Sequence, residues 1–301
     1  MLDTHDTHEH DHGLAHDLIA LEALASRRRA LRWFAGAGTV AMLSACDSGT
    51  STGTTTTTGT VVTPTPTPTS TATPTPTPTS TAGCIADPAE TGGPYPADGT
   101  NTSNGSTSNA LTATGIVRSD IRSSFLGSTT TATGVLLTIT LSVVNVNASC
   151  APLAGYAVYL WHCDRSGNYS LYGSTASESY LRGVGVTDSN GQVTFTTIFP
   201  GCYDGRWPHM HFEVFSSLAN ATGGRFAVLT SQLAMASAAC SAVYSGSSLY
   251  TSSVSNFSRI SVASDNVFGD NTAAQIAQQT PTFSGSVAAG YTASAVIGIA
   301  R

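Results

Sequence analysis

Residues 199–215, FPGCYDGRWPHMHFEVF, bring Tyr203, Arg206, His209 and His211 into nine positions, and after Cys46 the chain has only one other histidine, His162. In a strand, residues i and i+2 point the same way. His209 and His211 therefore turn two imidazoles to one face and Met210 to the other, which is half of a metal site. Two hydrogen-bonded histidines beside a ligand-free surface would give the same spacing. Two tyrosines favour the metal. Tyr203 follows the Pro200–Gly201 turn six residues before His209, and Tyr169 sits in a turn eight residues after Trp161. A phenol titrates near pH ~10, so it ionises at neutral pH only where a strongly Lewis-acidic cation holds it. Two imidazoles and two phenolates form a hard, anionic N2O2 set suited to ferric iron. Zinc and copper sites more often recruit cysteine or further histidines, and a zinc or copper enzyme built on His209 and His211 lacks an obvious third histidine.

These residues need strands and turns to position them. GVLLTITLSVVNV (134–146), YAVYLW (156–161), QVTFTTI (192–198), HMHFEVF (209–215) and RFAVLTSQL (225–233) are short runs rich in β-branched and aromatic residues. Turn signals such as DRSGN and DSNG separate them. Only NTAAQIAQQ (271–279) has a helical pattern. Many short strands without interleaved helices indicate an all-β fold, a β-sandwich with long loops and little helix.

Three segments, WHCDRSGNY (161–169), LRGVGVTDSNGQVTFTTIFPGCY (181–203) and GRWPHMHF (205–212), resemble the core of the intradiol ring-cleavage dioxygenases. ETGGPYPADG (90–99) is similar to that family's segment around a Gly-Pro-aromatic turn. The resemblance spans roughly 84–230 and implies a β-sandwich carrying non-haem Fe(III). It assigns the four ligands to Tyr169, Tyr203, His209 and His211, with Tyr203 as the one a catechol displaces, and it lays Arg206 over the bound substrate. Trp161 matches a tryptophan on the strand leading to the first tyrosine and serves as a core aromatic. His162 faces away and is not a ligand; Tyr172 and Tyr180 are fallback phenols. The implied partners are a small aromatic diol and O2, and the implied product is a cis,cis-muconate-type diacid. Catechol, protocatechuate, hydroxyquinol and lignin-derived catechols all fit. A non-catalytic surface module binding an aromatic or carbohydrate ligand is the competing reading. The chain departs from the catechol 1,2-dioxygenases in lacking their long helical N-terminal region, so the resemblance implies neither pocket walls nor oligomeric contacts.

The rest of the chain bounds where such a domain works. Residues 1–46 read as a targeting segment. SRRRALR (26–32) is a twin-arginine pattern, an apolar run follows over 33–43, and LSAC (43–46) resembles a lipobox that would make Cys46 a lipidated first residue. Cleavage near this point without a lipid is the alternative. His5, His8, His10, His12 and His16 could bind a metal loosely, but they precede the signal and would leave with it. Residues 47–83 form a Thr/Ser/Pro-rich stalk in which TPTPTPTSTA occurs twice, too polar to bury a core. The domain proper is 84–301. After Cys46, eight Arg oppose twelve Asp plus Glu, a formal charge of −4, and there is no lysine. That balance argues against nucleic acid and against a polybasic membrane patch, and leaves a lipid at Cys46 as the only membrane contact. The expected location is the cell envelope or surface. Five cysteines remain in the domain, and export suggests disulfides. The expected pairs are Cys150–Cys163 and Cys202–Cys240, leaving Cys84 unpaired. A bridged Cys202 could not compete for the metal.

Overall fold

The computed structural model describes residues 84–301, so the targeting segment, the histidine tract, Cys46 and the stalk lie outside the described residues. The elements in chain order are β1 (Asp98–Ser103), β2 (Ser106–Asn109), β3 (Leu136–Asn145), β4 (Ala151–Pro152), β5 (Ala157–Trp161), β6 (Arg182–Val186), β7 (Gln192–Ile198), β8 (His209–Phe215), β9 (Leu229–Ala234), α1 (Ser237–Gly246), α2 (Thr251–Phe257), α3 (Ala273–Gln279), β10 (Thr282–Ser286) and β11 (Gly290–Ile299). One sheet has the order β6-β5-β8-β9, all antiparallel. The other runs β10-β11-β3, with β7 and the short β4 both pairing to β3, and only the β11–β3 pair is parallel. β1 and β2 form a separate hairpin.

Period-2 alternation builds the sandwich. In β3, Leu137, Ile139, Leu141 and Val143 are buried while Thr138, Thr140 and Ser142 face outward. The inward set meets Val158 and Leu160 of β5 and Met210, Phe212 and Val214 of β8 in one core between the sheets. Full burial of each such side chain contributes roughly 1.5–3 kcal/mol.

β8 departs from alternation: all seven of its residues are buried. It is central in its sheet, so its inner residues fill the sandwich, and its outer ones are covered by loops. The outer residues of β5, Ala157, Tyr159 and Trp161, join Phe215, Tyr169 and Tyr172 in a second core, with Tyr95 and Tyr203 packed against it. His209 and His211 belong to this outer layer. The proposed chemistry is thus set on the outside of the four-stranded sheet, under loops, rather than between the sheets.

The expected strands are present with trimmed ends, except that 225–233 shifts to 229–234, residues 224–226 forming a 3-10 turn instead. Two helices, α1 and α2, add to the one expected. Serine and threonine, modest helix formers, dilute both segments, yet α1 buries Ala239, Cys240, Val243 and Tyr244 at helical spacing. Packing against the main core outweighs local propensity there.

The expected disulfides are not those formed. Cys84 is bridged to Cys150, with Cα atoms 5.9 Å apart, and Cys163, Cys202 and Cys240 are buried free thiols. Cys150 and Cys163 lie beyond opposite ends of β5, whose five residues extend at about 3.3 Å each, too far for a bridge that needs Cα atoms within about 7 Å. Cys202 Sγ turns back on its own loop, 3.6 Å from the Arg206 carbonyl and 3.9 Å from that of Tyr203. Burial pushes its pKa up to about 12, and the side chain packs in the core between the sheets rather than with the candidate ligands.

The bridge fastens the arm 84–97, which crosses from β11 of the five-stranded sheet to the outside of the four-stranded sheet. Asp87 N donates to the Gly298 carbonyl and Glu90 N to that of Thr230. Non-reducing peptide mapping should recover Cys84 joined to Cys150, with Cys163, Cys202 and Cys240 alkylated only after unfolding. Cys84→Ser should destabilise the domain by up to about 4 kcal/mol, the chain-entropy value for a loop of this size. A map joining Cys202 to Cys240 would contradict this arrangement.

Candidate metal centre

Each of the four expected ligands is delivered by a local device. Tyr169 follows a turn whose Asp164 carboxylate accepts the Ser166 and Asn168 amides at 2.8 and 3.0 Å. Gly167 in that turn has φ +92°, and a Cβ there would come within 2.9 Å of Tyr203 Cβ. Glycine lets the two tyrosine turns touch. Past Tyr169, the Thr175 hydroxyl closes the loop onto the Tyr169 carbonyl at 2.7 Å.

Tyr203 is set by the helices that sequence reasoning missed. Tyr250 Oη donates to the Phe199 carbonyl at 2.8 Å and Tyr244 Oη to that of Pro200 at 3.0 Å. Ser253 Oγ accepts the Cys202 amide at 2.9 Å, and Asn256 Nδ2 donates to the Cys202 carbonyl at 2.8 Å. Four side chains from 244–256 thus grip residues 199–202, immediately before the tyrosine.

The histidines are oriented from β8 itself. The Trp207 carbonyl lies 2.5 Å from His209 Nδ1; as an acceptor it requires the proton on Nδ1 and turns the lone pair of Nε2 toward the phenols. His211 stacks on Trp161 at 4.9 Å and 7°, and Trp161 stacks on Tyr159. Gly93 passes over the His211 ring, where a Cβ would stand 3.3 Å from Cε1. Trp161 is fully buried, the core role expected of it.

The four side chains converge. Tyr169 Oη lies 3.1 Å from His211 Nε2, 3.3 Å from His209 Nε2 and 3.5 Å from Tyr203 Oη. His209 Nε2 is 3.1 Å from Tyr203 Oη and 3.2 Å from His211 Nε2. These spacings are those of donors that can share one small cation at about 2.0–2.2 Å. Burial, then the charge of Arg206, holds the His209 pKa well below the usual value. Burial, then His209 and Arg206, does the same at His211. Both rings are neutral and offer lone pairs. Burial and the neighbouring Tyr203 push the Tyr169 phenol well above 10. Without a cation, the Tyr169 phenol keeps its proton and can donate it to an imidazole.

The donor set fits a hard trivalent cation. Among the described residues no three His, Cys, Asp or Glu gather in one place, so a metal here must draw on the phenols. His162 stands apart as expected: Nε2 is 2.7 Å from Thr197 Oγ1, Nδ1 is 2.7 Å from the Cys163 carbonyl, and burial lowers its pKa to about 4. The fallback phenols are also elsewhere. Tyr172 bonds Asn101 and the Ala97 amide, and Tyr180 donates to Asp164.

Sequence reasoning assigned no role to Arg182, although it lies in a quoted segment. It is 1% exposed and donates to the carbonyls of Tyr95, Pro96 and Ser170 at 2.8–2.9 Å. In this way it ties the arm to the Tyr169 loop, and Tyr159 Oη adds a bond to Pro96 at 2.8 Å. A cavity of 110 Å³, lined by Tyr95, Asn168, Tyr169, Tyr172 and Ser174, opens beside Tyr169.

A family model described as dioxygenase matches residues 118–232, which contain all four converging side chains and Arg206. The fold is similar to that of an intradiol ring-cleavage dioxygenase from Tetranychus urticae, at 25% identity and TM-score 0.53, covering 72% of this chain and 95% of that one. A second dioxygenase structure matches at 25% identity and TM-score 0.54 over the same shares. The catechol 1,2-dioxygenase from Pseudomonas arvilla C-1 is more distant, at 21% identity and TM-score 0.38, covering 60% of this chain and 56% of that one. No curated protein matches the sequence. The motifs, the mainly β fold and the family match agree in their support for one family, the intradiol ring-cleavage dioxygenases, which are oxidoreductases.

Proposed function

We propose that the chain holds ferric iron between Tyr169, Tyr203, His209 and His211 and uses O2 to split a catechol between its two hydroxylated carbons. The product is a cis,cis-muconate-type diacid. The observation that carries this reading is the convergence of two phenol oxygens and two imidazole nitrogens at 3.1–3.5 Å from one another. When bound, ferric iron supplies Lewis acidity that draws electron density from a chelated catechol and makes its ring reactive toward O2.

The chain's own residues do the rest. His209 and His211, buried and neutral, act as fixed donors. Tyr169 is 4% exposed and packs against Tyr95 at 5.2 Å between ring centres, so it stays in position. Tyr203 is only partly buried, at the end of a turn, and is the phenol able to give way to substrate; its Oη then takes up a proton from a catechol hydroxyl. Arg206 N–H groups stabilise negative charge on the substrate oxygens. The arm over His211 keeps bulk water from the imidazoles. We further propose that the reaction takes place at the cell envelope, supported by the twin-arginine pattern and the lipobox-like LSAC before and at Cys46.

Purified protein should carry about one iron per chain and absorb in the visible, and Tyr169→Phe and Tyr203→Phe should each shift that band. Stoichiometric zinc, or a band indifferent to both substitutions, would remove the ligand assignment. A catechol panel followed by oxygen uptake then identifies the ring substituents.

Iron loading at neutral pH should release about two protons per ion, one from each phenol. Because Tyr169 is held protonated far above neutrality in the metal-free chain, apparent affinity should weaken as pH falls and strengthen as it rises. Loading without proton release would exclude phenolate ligation.

The full chain should partition with membranes, and Cys46→Ser should release it or block processing. A soluble wild-type product that starts at another residue would rule out the anchor and leave the enzyme reading intact.

A further inference from the structure

Arg206 is 5% exposed, a buried cation, and it is held by a residue 59 positions away. Its Nε donates to Asp265 Oδ2 at 2.9 Å, and Nη2 lies 3.5 Å from Asp265 Oδ1 while donating to Gln232 Oε1 at 2.8 Å. The Asp265 side chain is fully buried. The same carboxylate accepts the Trp207 amide at 2.7 Å, the Val267 amide at 2.8 Å and the Phe268 amide at 3.0 Å. One side chain thus fixes the guanidinium, the residue whose carbonyl orients His209, and its own loop.

This geometry has two consequences. A guanidinium buried this deeply needs a counter-charge, since an unpaired buried ion is strongly destabilising; Asp265 supplies it and makes Arg206 a directed donor within a neutral pair. The bonds to Asp265 and Gln232 also occupy the Nε and Nη2 edge of the fork. Nη1 is the end left to meet a bound molecule, and Arg206 interacts electrostatically with the phenols of Tyr203 and Tyr169.

We propose that Asp265 is a positioning residue for the reaction: it grips Arg206 by its Nε–Nη2 edge and so presents Nη1 to a catechol oxygen bound beside Tyr203 and Tyr169. This rests on the dioxygenase reading above. Gln232 is the auxiliary grip, and its Nε2 donates to the Thr91 carbonyl of the arm at 2.8 Å.

The test compares wild type, Asp265→Asn, Arg206→Gln and the double variant, each loaded with iron. Asp265→Asn should keep wild-type iron content and the substrate-free visible band, because Asp265 bonds none of the four ligand side chains and the amide oxygen of Asn can still accept the Trp207 N–H that precedes His209, while kcat falls at least about tenfold and KM changes less. In the Arg206→Gln background, adding Asp265→Asn should cost no further kcat, the mark of two residues acting as one unit. A kcat within twofold of wild type, or a loss equal in both backgrounds, would overturn the proposal. So would loss of iron and visible band in step with stability, which would make Asp265 a structural anchor only. If Asp265→Asn does not fold, Asp265→Glu keeps the charge and displaces the grip, and it should show the same split between kcat and the visible band.

Titration with 4-nitrocatechol separates this proposal from the reading beneath it. Asp265→Asn and Arg206→Gln should weaken its binding by similar factors, and the double variant by no more than either. An iron-loaded wild type that binds 4-nitrocatechol in this pattern but cleaves no catechol would sink the dioxygenase reading alone. Unaltered 4-nitrocatechol affinity in Asp265→Asn would sink the positioning role alone.

Discussion

The Nε2 atoms of His209 and His211 face each other at 3.2 Å on one side of one strand, and neither ring can escape. The Trp207 carbonyl fixes the proton of His209 on Nδ1, and the stack on Trp161 fixes the plane of His211. Burial denies both rings a second proton. Two lone pairs this close in a low-dielectric layer repel unless something electropositive lies at their meeting point. Phenolic protons can fill that role, and a cation fills it better.

That constraint accounts for the second core outside the sandwich. The sandwich interior is apolar and would be a costly place for such a cluster. The outer layer of the four-stranded sheet is built from loops whose backbone groups are available as partners. The arm 84–97 closes it from above, held by the Cys84–Cys150 bridge, by Arg182 and by Tyr159. The loop around Tyr169 closes it from one side. The turn before Tyr203, gripped by side chains of 244–256, closes it from another. Rigid strands carry the two imidazoles, and clamped loops carry the two phenols. One phenol is sealed in and the other is partly exposed, an asymmetry that suits a site in which one donor stays and one yields.

The three unpaired thiols fit the same logic. Cys163, Cys202 and Cys240 are buried, and burial raises the pKa of each. Packed among apolar side chains, each serves as a small hydrophobe. Cys202 adjoins Tyr203 in sequence but packs in the core between the sheets, whereas Tyr203 packs against the outer core.

Particular residues mark the limit of what sequence reading reveals. The period-2 pattern of β3 specified a strand and its inward residues, the aromatic and β-branched run of β8 specified a strand, and H-x-H specified that two imidazoles share a face, because these are consequences of backbone geometry alone. The types and order of Tyr169, Tyr203, Arg206, His209 and His211 pointed to a hard, anionic donor set and carried the resemblance to the intradiol dioxygenases. None of this depends on residues distant along the chain. Which face of β8 carries the histidines, and that loops rather than a second sheet cover it, required the packing of both sheets. Helix α1 is a poor former by composition and exists because the main core accepts Cys240, Val243 and Tyr244, and α2 lays Phe257 against the same core. Cys150 met Cys84 rather than Cys163 because β5 is extended, which holds two cysteines thirteen residues apart at opposite ends of a strand and brings one 66 residues away within reach. Asp265 carries no local signal at all. Its carboxylate matters only because the chain returns, 59 residues after Arg206, to the one place where a buried guanidinium needs a counter-charge.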